Sequence, residues 1–145
     1  MKECVAMKYS RRELPFLLAT AAAAQTSKPE RQPSRAFRYE DLAPIRNGAM
    51  TSRQILTGLT HSGFKIDLHE TELAAGQAPH DPHRHIHEEM VLVREGELEV
   101  TIAGRTTRIG AGSAAFIASN AIHGWRNPGG APSRYFVFAL GDDDA

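Results

Sequence analysis

The sequence predicts an all-β domain, a sandwich or barrel with jelly rolls among the candidates. Three observations carry this. Short segments alternate apolar and polar residues with the period of two that a half-buried strand shows. Turn residues separate these segments at short, regular spacing. No long 3.6-residue periodicity runs from Ser52 to the C-terminal end, so nothing there reads as a core helix.

Each element can be justified in turn. Phe64, Ile66 and Leu68 alternate with Lys65, Asp67 and His69, a strand with one apolar face for the core. Met90 to Val93 is a continuous apolar run and reads as a strand buried on both faces. Leu98, Val100 and Ile102 alternate with Glu97, Glu99 and Thr101. Ser113 to Ala118 and Tyr135 to Leu140 are further strands, the last with Phe136 and Phe138 on one side. Between them fall the turn signals Glu95-Gly96, Ala103-Gly104, Gly110-Ala111-Gly112 and Asn127-Pro128-Gly129-Gly130.

A chain of 145 residues fits one domain. Its formal charge is zero, so neither nucleic acid nor an anionic membrane surface is an expected partner. Cys4 is the only cysteine. It excludes an intramolecular disulfide, and a thiolate zinc site or thiol nucleophile would need the N-terminal leader to fold back.

Residues 1–24 read as an export signal. Lys2, Lys8, Arg11 and Arg12 precede the apolar run Leu14 to Ala24, and Ala22-Ala23-Ala24 offers small residues to a peptidase. That run of 11 residues is too short for a spanning helix, which needs roughly 20, so no stable membrane insertion is expected. Ser10-Arg11-Arg12-Glu13-Leu14 resembles a twin-arginine signal, although Pro15 and Phe16 depart from the usual pattern. The expected location is the periplasm, with the cytoplasm as the alternative. Without the leader the chain has 13 basic and 15 acidic residues. Residues 25–44 form a linker and N-terminal arm, 45–141 the barrel domain and 142–145 an acidic tail.

The chemical signal is histidine. Four of the seven histidines, His80, His83, His85 and His87, fall within eight residues. In an extended chain residues two apart share a face. His83 and His85 can then point inward together, and Glu89 joins them if the strand continues. Imidazole plus carboxylate suits iron, manganese, nickel, cobalt or zinc better than calcium or magnesium. His123 lies on a separate strand, where a lone histidine is more often structural.

At this point the sequence resembles the cupin family through both of its motifs. The first is His83-x-His85, three residues, Glu89, six residues, Gly96. The second keeps Gly112, His123 and Asn127 in register, with Ala118 in place of a proline and Asn120 in place of a glycine. Asn tolerates the left-handed conformation that a turn glycine adopts, and neither replacement removes a ligand. The resemblance spans roughly Gly58 to Leu140.

The resemblance implies a single double-stranded β-helix, or jelly-roll barrel, with His83, His85, Glu89 and His123 around one divalent metal. Iron or manganese is favoured, with zinc, nickel or cobalt as the others. His87 reads as a neighbour rather than a ligand, with Trp125, Tyr135 and Phe136 as pocket candidates. His80 is expected at the barrel mouth, and His61 and His69 as exposed histidines without a role. A small-molecule ligand and a homodimer are the expected partners. The expected activity is oxidoreductase chemistry of dioxygenase type on a small organic molecule. A non-catalytic protein that binds a carbonyl or carboxylate ligand is the alternative, and a metal-assisted isomerase or lyase the third. No dedicated proton donor is visible in either motif.

Overall fold

The structure, a computed structural model, describes residues 31–142. The expected export signal lies outside them, as do the first residues of the linker and the last three of the acidic tail.

An N-terminal arm with one 3₁₀ turn, Tyr39–Asp41, leads into nine strands. They are β1 (Pro44–Asn47), β2 (Met50–Leu59), β3 (Lys65–Leu73), β4 (Glu88–Glu95), β5 (Glu97–Ile102), β6 (Arg105–Gly110), β7 (Ala114–Ile117), β8 (His123–Arg126) and β9 (Ser133–Leu140). Six form one sheet in the order β1-β2-β3-β9-β4-β7, and three form the other in the order β6-β5-β8. Every pairing within these sheets is antiparallel. The fold is all-β and of the jelly-roll class expected.

The inner faces meet in a core of Leu73, Val91, Val93, Leu98, Val100, Ile117, Trp125, Tyr135 and Val137. Burying a side chain of this kind contributes about 1.5–3 kcal/mol, so the two sheets are held mainly by β3, β4, β5 and β9.

Two strand readings change. Met90–Val93 is not buried on both sides: Val91 is fully buried, whereas Met90 is 38% exposed. In the first half of β3 the apolar residues face outward. Thr71 and Leu73 are buried in the core, and alternation puts Asp67 and His69 on that inner side while Ile66 and Leu68 point outward. Leu68 pairs Phe138, Phe138 pairs Met90, and Met90 pairs Phe116. An apolar row therefore crosses the outside of the six-stranded sheet. Since side chains alternate with a period of two, the face of a strand is set by which side its neighbours bury, not by hydropathy alone.

The arm covers one end of this outer face. Tyr39 lies under the guanidinium of Arg53 at 4.5 Å and that of Arg94 at 5.4 Å. Arg94 in turn donates to the buried carboxylate of Glu70 at 2.6 Å. Further back, the Gln32 N–H donates to the Leu59 carbonyl at 2.7 Å.

Candidate metal centre

Two short segments bring the histidines together. His83 and His123 form an isolated antiparallel bridge, each N–H donating to the other's carbonyl at 2.9 Å. The strand expected through residues 83–89 does not run continuously. The chain bends at Ile86–His87 before β4 begins at Glu88. Two hydrogen bonds hold the bend: the Asn120 N–H donates to the His85 carbonyl at 2.8 Å, and His85 Nδ1 bonds the His87 carbonyl at 2.8 Å. Asn120 sits at φ +62°, the left-handed position where the motif usually has glycine.

Other motif residues serve the scaffold. The buried Asn127 amide donates to the carbonyls of Leu73, Ala74 and Ala131, and its Oδ1 accepts from the Gly129 N–H. It ties the turn before β9 to the end of β3. At Gly96, with φ +75°, a Cβ would stand 2.8 Å from Ser133 Oγ, so a side chain there would displace the start of β9.

One ring nitrogen each from His83, His85 and His123 lies within 4.8 Å of the others. Tetrahedrally placed ligands on metal–nitrogen bonds of ordinary length stand about 3.4 Å apart, so the three rings would draw together on binding an ion. Glu89 Oε2 lies 3.1 Å from His123 Nε2 and 3.4 Å from His85 Nε2. His85, His87 and Glu89 form a second, overlapping group, the rings of His85 and His87 stacked at 3.6 Å. His87 thus stands beside the cluster.

The hydrogen bonds of the rings decide what this cluster can hold. His123 Nδ1 bonds the Ala121 carbonyl at 2.9 Å, and His85 Nδ1 bonds that of His87. A neutral imidazole with its proton on Nδ1 presents a bare lone pair on Nε2. Both Nε2 atoms then face a carboxylate oxygen, acceptor against acceptor, and the buried His85 Nε2 has no hydrogen-bond partner. A cation at that point resolves the conflict. A ring nitrogen fixed on a backbone carbonyl, with its opposite nitrogen free, is the arrangement that metal-binding histidines use. The donor set fits a divalent transition metal.

Burial holds His83 below the usual histidine range, the neighbouring imidazoles of His80, His123 and His85 add to the effect, and a hydrogen bond with the Asp81 backbone opposes it. His83 therefore stays neutral and available as a ligand further into the acid range than a free histidine.

Trp125 stacks on His123 with ring centroids 6.0 Å apart and meets Tyr135 edge-on at 5.9 Å. Burial pushes the Tyr135 phenol up to about 12; contacts with Trp125 and Thr71 work against the shift, and the charge of Glu89 adds to it. The indole N–H of Trp125 itself lacks a partner of full hydrogen-bond geometry. Phe136 pairs Leu92 and Glu70 on the opposite parity from Tyr135. It faces the outer side, so the structure removes it from the pocket. His80 packs edge-on against His83 at 4.3 Å, beside the cluster.

One group escaped the sequence reading. Thr57, Lys65, Asp67, His69, His87 and Glu89 share the wall of a cavity of about 320 Å³ with Val137 and Ala139. Elsewhere in the fold, Val100, Ile102, Ile109 and Ala115 line an apolar slot of about 450 Å³ with Arg105 and Thr107.

Residues 69–139 match the Cupin_2 family, a cupin domain. An RmlC-like cupin from Shewanella frigidimarina is 18% identical with TM-score 0.65, covering 79% of this chain and 97% of its own. KdgF from Halomonas is 17% identical with TM-score 0.65, covering 77% and 98%. The polyketide cyclase RemF from Streptomyces resistomycificus is 23% identical with TM-score 0.62, covering 78% and 83%. No curated protein matches the sequence. At these identities the structural neighbours establish the fold, and with the domain match they support a place in the cupin superfamily.

Proposed function

We propose that this chain is a mononuclear-metal cupin acting on a small organic molecule. His83, His85, Glu89 and His123 would hold the ion. The observation that carries the reading is the bare, buried Nε2 of His85 directed at Glu89 beside an equally oriented His123. Iron or manganese is the favoured metal, with zinc, nickel or cobalt as alternatives. Bound there, such an ion would supply either redox chemistry with dioxygen or Lewis acidity toward a carbonyl. The chain's own residues set the rest: Trp125 walls one side, the apolar slot receives a hydrocarbon portion, and the polar cavity receives oxygen-bearing groups.

The leading activity is an oxidoreductase of dioxygenase type. A metal-assisted isomerase, lyase or cyclase is favoured by one specific observation, the Asp67–His69 pair facing the cavity of Glu89, and a polyketide cyclase shares the fold. Metal analysis of protein taken from its native compartment separates the readings. Iron with substrate-dependent oxygen uptake supports the first. Zinc at full occupancy, with no turnover of carbonyl compounds or phenols, would make the chain a binding protein.

Among the described residues no helix is long and apolar enough to cross a membrane. Residues 1–24 are proposed to export the folded domain, which would let iron or manganese be loaded first. Unchanged export after Arg11→Lys with Arg12→Lys would sink that part. A homodimer is proposed through the apolar outer face of the six-stranded sheet.

A further inference from the structure

We propose that His69, oriented by Asp67, accepts the proton of a protic organic ligand bound at the metal centre, in the cavity between β2, β3, β9 and β4. The inference rests on the metal reading above and adds the group that moves the proton.

The cavity follows from the register. Thr57 pairs Asp67, Asp67 pairs Ala139, and Ala139 pairs Glu89, one row across four strands on the inner face. Two neighbouring strand spacings put the Cα atoms of Asp67 and Glu89 about 9.5 Å apart. Only the methyl of Ala139 stands between them, which leaves the cavity of about 320 Å³. His69 shares the parity of Asp67 and lines the same space.

Asp67 is fixed on both oxygens. Oδ1 meets His69 Nδ1 at 3.0 Å, and Oδ2 accepts from Gln54 Nε2 at 2.9 Å. Gln54 is itself anchored on the Leu56 and Leu68 carbonyls, at the bulge where β2 slips against β3. A carboxylate held in this way keeps the imidazole proton on Nδ1 and leaves Nε2 as the acceptor, the arrangement that orients a histidine base. His69 and Asp67 are both half-exposed, so the cavity is open to a ligand from solution. The other charged or titratable groups facing it are Lys65, His87 and Glu89, and Lys65 lies 4.0 Å from Asp142.

The matching ligand is a molecule with an acidic O–H beside a second oxygen, such as an enolised 1,3-dicarbonyl, a catechol or a hydroxamic acid. On binding, its O–H bond breaks, the electron pair stays on oxygen, and the proton forms an N–H bond at His69 Nε2. The carboxylate of Asp67 balances the new imidazolium. Nothing is oxidised or reduced.

Calorimetry on the cobalt-loaded full chain tests this near neutral pH, in two buffers of different ionisation enthalpy. Acetohydroxamic acid has a proton to give; oxalate, already ionised, has none. The wild type should bind acetohydroxamic acid with little net proton release. His69→Gln should bind it about tenfold more weakly, the worth of one charge-assisted hydrogen bond, and release about one proton to the buffer. Asp67→Asn should move both quantities in the same direction. Oxalate should not weaken in parallel with acetohydroxamic acid, and cobalt content should not change in either variant. Equal proton release in wild type and His69→Gln, or equal weakening of both ligands, overturns the inference and leaves the metal centre standing. A wild type that takes up no cobalt overturns both.

Discussion

Glu89 Oε2 sits 3.1 Å from His123 Nε2, although the two residues are 34 positions apart in the chain. The pairing joins the start of β4 to the start of β8, hence one sheet to the other. With Nδ1 of His123 committed to the Ala121 carbonyl, the contact calls for a positive charge between ring and carboxylate. His123→Ala should lower metal affinity by at least about a hundredfold, beyond what loss of a supporting hydrogen bond costs. His87→Ala should stay within about tenfold of the wild type. Equilibrium dialysis with metal analysis measures both. Loss of metal on changing His87 would mean that the overlapping group of His85, His87 and Glu89 is the true cage.

Much of this site was legible in the sequence, for reasons that differ residue by residue. The spacings of His83, His85, Glu89, Gly96, Gly112, His123 and Asn127 survive as contacts because each is set by a turn or a bridge of fixed length. Asn120 at positive φ shows the same economy: a residue that tolerates left-handed backbone stands where the turn needs it. The inner face of β3 was not legible. Ile66 and Leu68 read as core because apolar residues usually face inward, yet the outer side of this sheet is apolar too. Asp67 and His69 therefore take the cavity. Only the pairing with β9 reveals this, and pairing is long-range. The bend at His87 was hidden for a similar reason, since it depends on the Asn120 N–H some 35 residues away.

His83 gives a prediction in the acid range. Its folded-state value lies below the ordinary one of about 6.5, so the fold favours the neutral ring. The corresponding stability is present above that pH and is lost as pH falls through the lowered value. His80 contributes by like charge and stands 4.3 Å from the ring. In metal-free protein, NMR titration should find His83 below 6.5, and His80→Gln should move it upward. A His83 ring that titrates at or above its ordinary value would show that the neighbouring imidazoles do not act on it as described.

Tyr135 gives one in the alkaline range. Its phenol is pushed up to about 12, against an ordinary value of about 10. The neutral form is the one the fold favours, so this contribution is complete below pH 10 and is lost as pH rises through about 12. Of the three tyrosines, Tyr9, Tyr39 and Tyr135, one should produce its phenolate absorbance near that upper value, and Tyr135→Phe should remove that step. Glu89→Gln should bring it down, because the carboxylate charge is one of the causes. Phenolate absorbance from all three near pH 10 in folded protein would contradict the buried position of this ring.

The outer face of the six-stranded sheet decides the proposed homodimer. Phe116 is 51% exposed and Met90 38% exposed, and both sit in the row that continues through Phe138 and Leu68. Contiguous apolar surface of this kind marks a contact site more often than scattered exposed residues do. A stable pairing removes about 800 Å² from each partner, an area that the outer face of the six-stranded sheet can supply. Phe116→Glu would put a carboxylate in the apolar row, at its β7 end. Sedimentation should report a dimer for the wild type and a monomer for the variant, with metal content unchanged because Phe116 points away from the histidines. A wild type that sediments as a monomer at every concentration would leave this face without a second copy. A variant that stays dimeric would place the interface elsewhere, along the free edges of β1, β6 or β7, where unpaired N–H and C=O groups also invite pairing.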